Sequence, residues 1–429
     1  MQHLHHLWSE QRTFLLALVK GSFLGGLVGV LAGISSAAFL LALDWATQTR
    51  VANPWLLYLL PFAGFGVGWV YHHYAGAARR GSSLVVEAAN QERGVIPRRM
   101  APLIFFGSVI THLFGGSAGR EGAAVQMATS LADGLRRILG VRGDDHRQMI
   151  LAGISGGFGA VFGTPLAGII FALEVQSVGR IRYDSLIPCF VAALVGDLVT
   201  RGLGIGHTHY PRMAEVGIDA PLLLRVGLAG IVFGLASLLF IELTERLRHL
   251  VRRHISYPPL APVIGGCAVI ALALLFGTDY LGLSLPLISR SVGGDGVEAG
   301  AFLLKIIFTA VTLSTGFMGG EVTPLFVIGA TLGYALGGAL GVEPHFLAML
   351  GFVAVFAGAS NTPLACTLMG VELFGGGGVL YLALACFAAY LASGHRGIYS
   401  TQRLLTPKLS RVDLAPDTTL DSYRTPPRR

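Results

Sequence analysis

The chain has 429 residues, 53% hydrophobic and only 13% charged, where a soluble domain carries about 25% charged residues; this excludes an ordinary soluble fold. Its net charge of +7 is spread over connectors and tails rather than gathered on one face. That favours loops held on the cytoplasmic side of a membrane and argues against nucleic acid as a partner.

In chain order, residues 1–14 are polar ("MQHLHHLWSEQR") and read as a cytoplasmic segment, not a signal peptide. His3, His5 and His6 there read as a tail cluster, not a metal site. Apolar stretches then recur, among them 21–43, 54–71, 222–241 and 263–276. A span needs roughly 20 apolar residues, so the chain has room for about 10 or more full or partial crossings. Several stretches are too short or too Gly-rich for simple spans, which predicts broken and half-length helices in an all-α polytopic membrane protein. Cys189, Cys267, Cys366 and Cys386 lack metal-ligand spacing and read as small core residues.

Two segments repeat. "GSAGREG" (116–122) matches "GFMGGEV" (316–322), and "GTPLAGIIFALE" (163–174) matches "NTPLACTLMGVE" (361–372), at offsets of 200 and 198. The connector after the first long span carries only Arg50, whereas that after the first long span of the second half carries Arg246, Arg248, Arg252 and Arg253. Basic connectors stay inside, so the halves are predicted to be inverted repeats, 15–210 and 211–405. Such repeats form a transporter plan with its site near the midplane. Residues 406–429 are expected to be a short cytoplasmic tail without room for a regulatory domain.

"GGSAGREG" and "TGFMGGEVTP" each place glycines before an apolar helix. A helix starting inside the membrane aims free N–H groups and its positive dipole end at what lies ahead, which makes an anion site. Glycines permit close approach, and Pro324 suits a first turn. Glu121 carries the same charge as an anion. It is expected to occupy the site it guards and, once protonated, to swing away, so that one residue gates anions and carries protons. The alternative is that it pairs with Arg120 or caps its helix. Arg120 is open between ion contact and a packing role, Ser82 and Ser83 between ion donor and helix cap, and Tyr399 between ion contact and an interfacial belt. Glu174 and Glu372 end their helices in matching places, which favours a structural or surface role.

The four motifs "RGSSL", "GREGAAVQ", "GGEVTP" and "GIYS", in this order, resemble the CLC family of chloride channels and proton-coupled anion antiporters over about residues 15–405. The resemblance implies a homodimer with one pore per subunit, multi-pass in the cell membrane, the bacterial inner membrane, with both termini cytoplasmic. It also implies Glu121 as the gating glutamate, Ser82 and Tyr399 as ion-coordinating hydroxyls, and an anion site completed by Gly119, Arg120, Gly122, Val322 and Thr323. Ala123 stands where most chloride-type members have proline, Glu321 where they have an aliphatic residue, and Val175 where many exchangers have an inner acid. These departures resemble the bacterial branch that exports fluoride in exchange for protons, although in that branch the residue at Ser82 often differs. A chloride channel or chloride/proton antiporter is the near alternative. A remote one is an intramembrane serine protease, from "GISGG" with Ser155 as nucleophile and His345 or His395 as base. The expectation is a transporter of fluoride or chloride and protons in a lipid bilayer, not an enzyme, with neither cofactor nor metal.

Overall fold

The computed structural model describes residues 2–91, 94–408, 415 and 417–424, with side chains described from residue 11 onward except residue 13. The side chains of His3, His5 and His6 and much of the tail lie outside the described residues. Eight helices precede the linker 203–219: α1 (Gln2–Ala52), α2 (Leu60–Val70), α3 (Ser82–Asn90), α4 (Met100–Leu113), α5 (Glu121–Leu139), α6 (Asp144–Phe162), α7 (Pro165–Glu174) and α8 (Leu186–Gly202). Eight follow it: α9 (Ala220–His254), α10 (Ala261–Phe276), α11 (Leu285–Gly293), α12 (Ala301–Ser314), α13 (Val322–Leu340), α14 (Pro344–Ser360), α15 (Pro363–Phe374) and α16 (Val379–Ala392). A short α17 (Leu420–Arg424) closes the described chain. Among the described residues, the regular strands are β1 (Ser177–Val178) and β2 (Arg403–Leu404), paired in parallel.

Among the described residues, five segments are long and apolar enough to cross a membrane: 14–52, 54–90, 220–254, 258–276 and 322–340. The remaining apolar helices are shorter, α7 being 10 residues and α15 12. Local chemistry explains where they stop. α5 and α13 end on Gly140 (φ 67°) and Gly341 (φ 60°), left-handed caps that glycine adopts without strain. α7 and α15 each start on a proline, whose missing N–H has no helical partner to lose.

The two sets correspond helix by helix, but at the glycine motifs the register is one residue away from the sequence match. α4 and α12, and α5 and α13, have equal lengths and begin 201 residues apart, as do the positive-φ residues Gly115 and Gly316. Glu121 therefore corresponds to Val322, and Arg120 to Glu321. The offset of 200 arose because glycines match glycines in several registers; backbone conformation selects one.

α6 and α14 run through the middle. Every residue from Met149 to Phe162 and from Phe346 to Ser360 is buried, as expected of a helix apolar on all sides. Aromatic rings stack within each half, Phe158 on Phe171 at 4.4 Å and Phe326 on Phe352 at 4.2 Å between centroids, and join the halves through Phe162–Phe326 at 5.3 Å and Phe171–Phe356 at 6.0 Å. Phe23, Leu41, Leu235 and Leu274 are exposed on the outer helices, which suits a surface that meets lipid. Cys189, Cys366 and Cys386 are buried, but Cys267 is exposed on α10 and is not a core residue.

Candidate anion site

The loops before α5 and α13 meet back to back. Gly119 N–H donates to Gly320 O and Gly320 N–H to Gly119 O, both at 2.7 Å. A Cβ on Gly119 would stand 2.9 Å from Pro324 Cδ and 3.0 Å from Gly320 O, so only glycine permits this crossing. Gly119's amide is committed to the bridge. What faces the centre is therefore the first turn of each helix.

Glu121, 1% exposed, opens α5 and sends its carboxylate across to α13. Oε2 accepts the Thr323 N–H at 3.0 Å, the Thr323 hydroxyl in a short contact, and the Arg120 N–H at 3.2 Å; Oε1 lies 3.4 Å from Arg120 Nε. The carboxylate thus fills the anion position at the start of α13, where hydrogen bonds and helix dipole both favour negative charge. It is also next to Arg120, so the pairing alternative is present as well, through the longest of these contacts. Val322 begins α13 and is buried, but Thr323's amide is the one that receives Glu121.

One cavity is lined by Glu121 and another by its neighbour Gly122. The first is lined by Arg120, Glu121, Thr323 and Phe326 with Thr208 and Tyr210 from the linker. The second is lined by Ser82, Gly122, Val175 and Tyr399. The predicted residues therefore fall into two groups, with Gly122 between them: a Cβ there would stand 3.7 Å from Ser82 Oγ and 3.3 Å from Gly320 Cα. Ser82 opens α3, and its hydroxyl accepts from Gln126 Nε2 at 3.0 Å, which leaves its own hydrogen free. Ser83 instead binds the segment after Tyr399: its carbonyl accepts from Thr401 Oγ1 at 2.7 Å and its hydroxyl lies 3.4 Å from that of Ser400. Tyr399 is 5% exposed, edge-on to Phe171, a buried position and not an interfacial one.

Sequence reasoning missed three groups. Gln126 lies within a motif already singled out. Lys305 is fully buried in α12, its Nζ donating to Ser117 Oγ, Ser284 Oγ, Tyr280 O and Gly282 O at 2.8–3.2 Å; it anchors the loop that carries Glu121. A lone lysine in "AFLLKIIFTAV" was its signal. Thr208 and Tyr210 carried none, since polar residues in a linker are ordinary.

Elsewhere, Glu174 and Glu372 bridge the halves. Glu174 accepts from Leu364 N and Ala365 N at 3.2 and 2.9 Å, and Glu372 from Leu166 N and Ala167 N at 3.0 and 2.8 Å. Ser155 is buried with its hydroxyl donated to Cys189 O at 2.8 Å. His345 meets Glu343 and His395 meets the Lys408 amide, so neither histidine partners Ser155 in a protease dyad. Among the described residues there is no cluster of metal-ligating side chains.

The model of the voltage-gated chloride channel family matches residues 63–394. A chloride/fluoride channel protein of Pseudomonas syringae pv. tomato is 47% identical over 402 residues, covering 92% of this chain and 89% of that protein. The H(+)/Cl(−) exchange transporter ClcA of Vibrio cholerae is 30% identical over 440 residues, 92% of each chain. The crystal structure of a CLC-type fluoride/proton antiporter superposes with a TM-score of 0.86 at 32% identity, covering 90% of this chain and 98% of that one. With helices, crossing loops and motifs in agreement, the chain belongs to the voltage-gated chloride channel (CLC) family.

Proposed function

We propose that the chain exports fluoride in exchange for protons, with Glu121 as both gate and proton carrier. The observation that carries this reading is the Glu121 carboxylate seated at the first turn of α13 in the lining of one cavity, while the next residue, Gly122, lines the other. An anion passing from one cavity to the other needs the position that this carboxylate fills. Protonation removes the charge that the dipole and the Thr323 donors hold, so a proton taken up releases the seat. Fluoride is small and strongly hydrated; the Thr323 amide and hydroxyl supply strong donors at the seat, and the Ser82 and Tyr399 hydroxyls supply donors in the second cavity, so that its water is replaced at each in turn. The similarity to the fluoride/proton antiporter structure supports fluoride. Ser82 and the relative that exchanges chloride favour chloride as the second reading.

In this reading both termini are cytoplasmic, the basic α9–α10 connector lies inside, the linker 203–219 lies outside, and two copies assemble as a homodimer with one pathway each. Vesicles loaded in turn with fluoride and chloride, read with ion-selective and pH electrodes, test it. Fluoride leaving faster than chloride with opposing proton flow is expected. Chloride moving as fast as fluoride establishes the second reading, and anion flow without protons a channel.

A further inference from the structure

The linker 203–219 joins two repeats, a task any polar segment performs, yet it is fastened over the first cavity. Met213 N–H donates to Phe374 O at 2.6 Å and Val216 N–H to Gly377 O at 3.0 Å. The Tyr210 ring packs against Phe352 and Phe374, with centroids 5.5 and 5.7 Å away. His207 lies 3.2 Å from Asp197 on α8. Held at these points, the linker places Thr208 and Tyr210 in the lining of a cavity whose other polar lining is Arg120, Glu121 and Thr323.

Each group is suited to an anion. Burial pushes the Tyr210 phenol up to about 12, so it stays an O–H donor at neutral pH, within reach of the Thr208 hydroxyl. Ring packing needs no hydroxyl, so phenylalanine would fasten the linker equally well. The Arg120 guanidinium has one partner among the described residues, Glu121 Oε1 at 3.4 Å from Nε, which leaves its terminal nitrogens uncommitted. Glu121 is the sole acid in the lining, and its carboxylate is engaged by Thr323. Walls such as Phe326 exclude water and so strengthen a charge-assisted contact.

We propose that Thr208, Tyr210 and the Arg120 guanidinium form a second anion position, on the linker side of the Glu121 seat, where the transported halide pauses between the centre and the bulk. This rests on the reading of the chain as an anion transporter through Glu121. An ion held there is separated from the centre by the carboxylate, so it can wait without occupying the central seat.

Thr208→Val with Tyr210→Phe removes both hydroxyl donors and keeps shape and ring packing. Calorimetric titration of the purified chain with sodium fluoride at pH 8 is expected to show binding that weakens about tenfold or more in this double variant. In vesicles, the half-saturating fluoride concentration on the linker face rises by a similar factor while that on the opposite face stays put. An unchanged isotherm, an absence of binding to the unaltered chain, or equal shifts on both faces would overturn the proposal. Tyr210→Phe alone carries the test if the double variant fails to fold. Fluoride that does not cross vesicles holding the unaltered chain defeats the transport reading, whereas the isotherm still decides whether the cavity binds.

Discussion

Two pairs of positions place carboxylates at helix starts across the two halves, and they behave oppositely. Glu174 and Glu372 are matched: each caps the start of a helix in the other half by accepting two of its backbone N–H groups. Glu121 is unmatched, because its counterpart in the structural register is Val322, and only one carboxylate crosses the axis. The matched pair stitches the repeats together. In the proposed transport cycle, the unmatched acid leaves a single seat that a mobile anion can claim. Lys305, which anchors the Glu121 loop through Ser117, is likewise unmatched, its counterpart 201 residues earlier being Ile104.

The largest expected effect separates these roles. Glu121→Gln is predicted to reduce anion-coupled proton flow to that of protein-free vesicles, whereas Glu174→Gln and Glu372→Gln keep the proton-to-anion ratio; coupled flow surviving in Glu121→Gln would erase the distinction. Next, Lys305→Met leaves four buried oxygens without their donor. It is expected to cost about 1–3 kcal/mol, as buried acceptors left without a donor do, read as a fall in the thermal unfolding midpoint in detergent. An unaltered midpoint would show that the Ser117 loop needs no anchor.

Comparable and smaller effects sharpen the contrast. Glu174→Gln or Glu372→Gln exchanges charge-assisted caps for neutral ones at about 1–3 kcal/mol each. Matched roles require the two losses to be similar, and a large inequality would break the symmetry argued here. Thr323→Val keeps the backbone amide and removes one hydroxyl, for about 1 kcal/mol or fivefold weaker fluoride binding. Coupling persists in that variant, since the proton carrier is untouched.

Much of this was legible in the sequence. Low charge and recurring apolar stretches imply a helical membrane protein, and the glycine motifs before helices locate the crossing and Glu121. The register at the motifs was not legible, because in "GFMGGEV" the repeated glycines fit at 200 or 201 and only the backbone angles at Gly115 and Gly316 decide. Nor was the separation of Ser82 and Tyr399 from Glu121 into a second cavity, which depends on how α3 and the segment after α16 pack around α5. The bond from Gln126 to Ser82 spans 44 positions, and no spacing rule reaches that far. The tail, expected as a polar end, returns in part: Leu420 N–H donates to Gln402 O at 3.0 Å and Arg424 reaches Glu242 at 2.9 Å.

The central claim is that fluoride and the Glu121 carboxylate compete for the seat at Thr323. The most direct measurement is fluoride binding by calorimetry in buffers of different ionisation enthalpy, which reads the protons exchanged as the ion binds. The account predicts net proton uptake in the unaltered chain, since the displaced carboxylate accepts a proton, and none in Glu121→Gln. Fluoride binding without proton uptake, or with equal uptake in the variant, would contradict it.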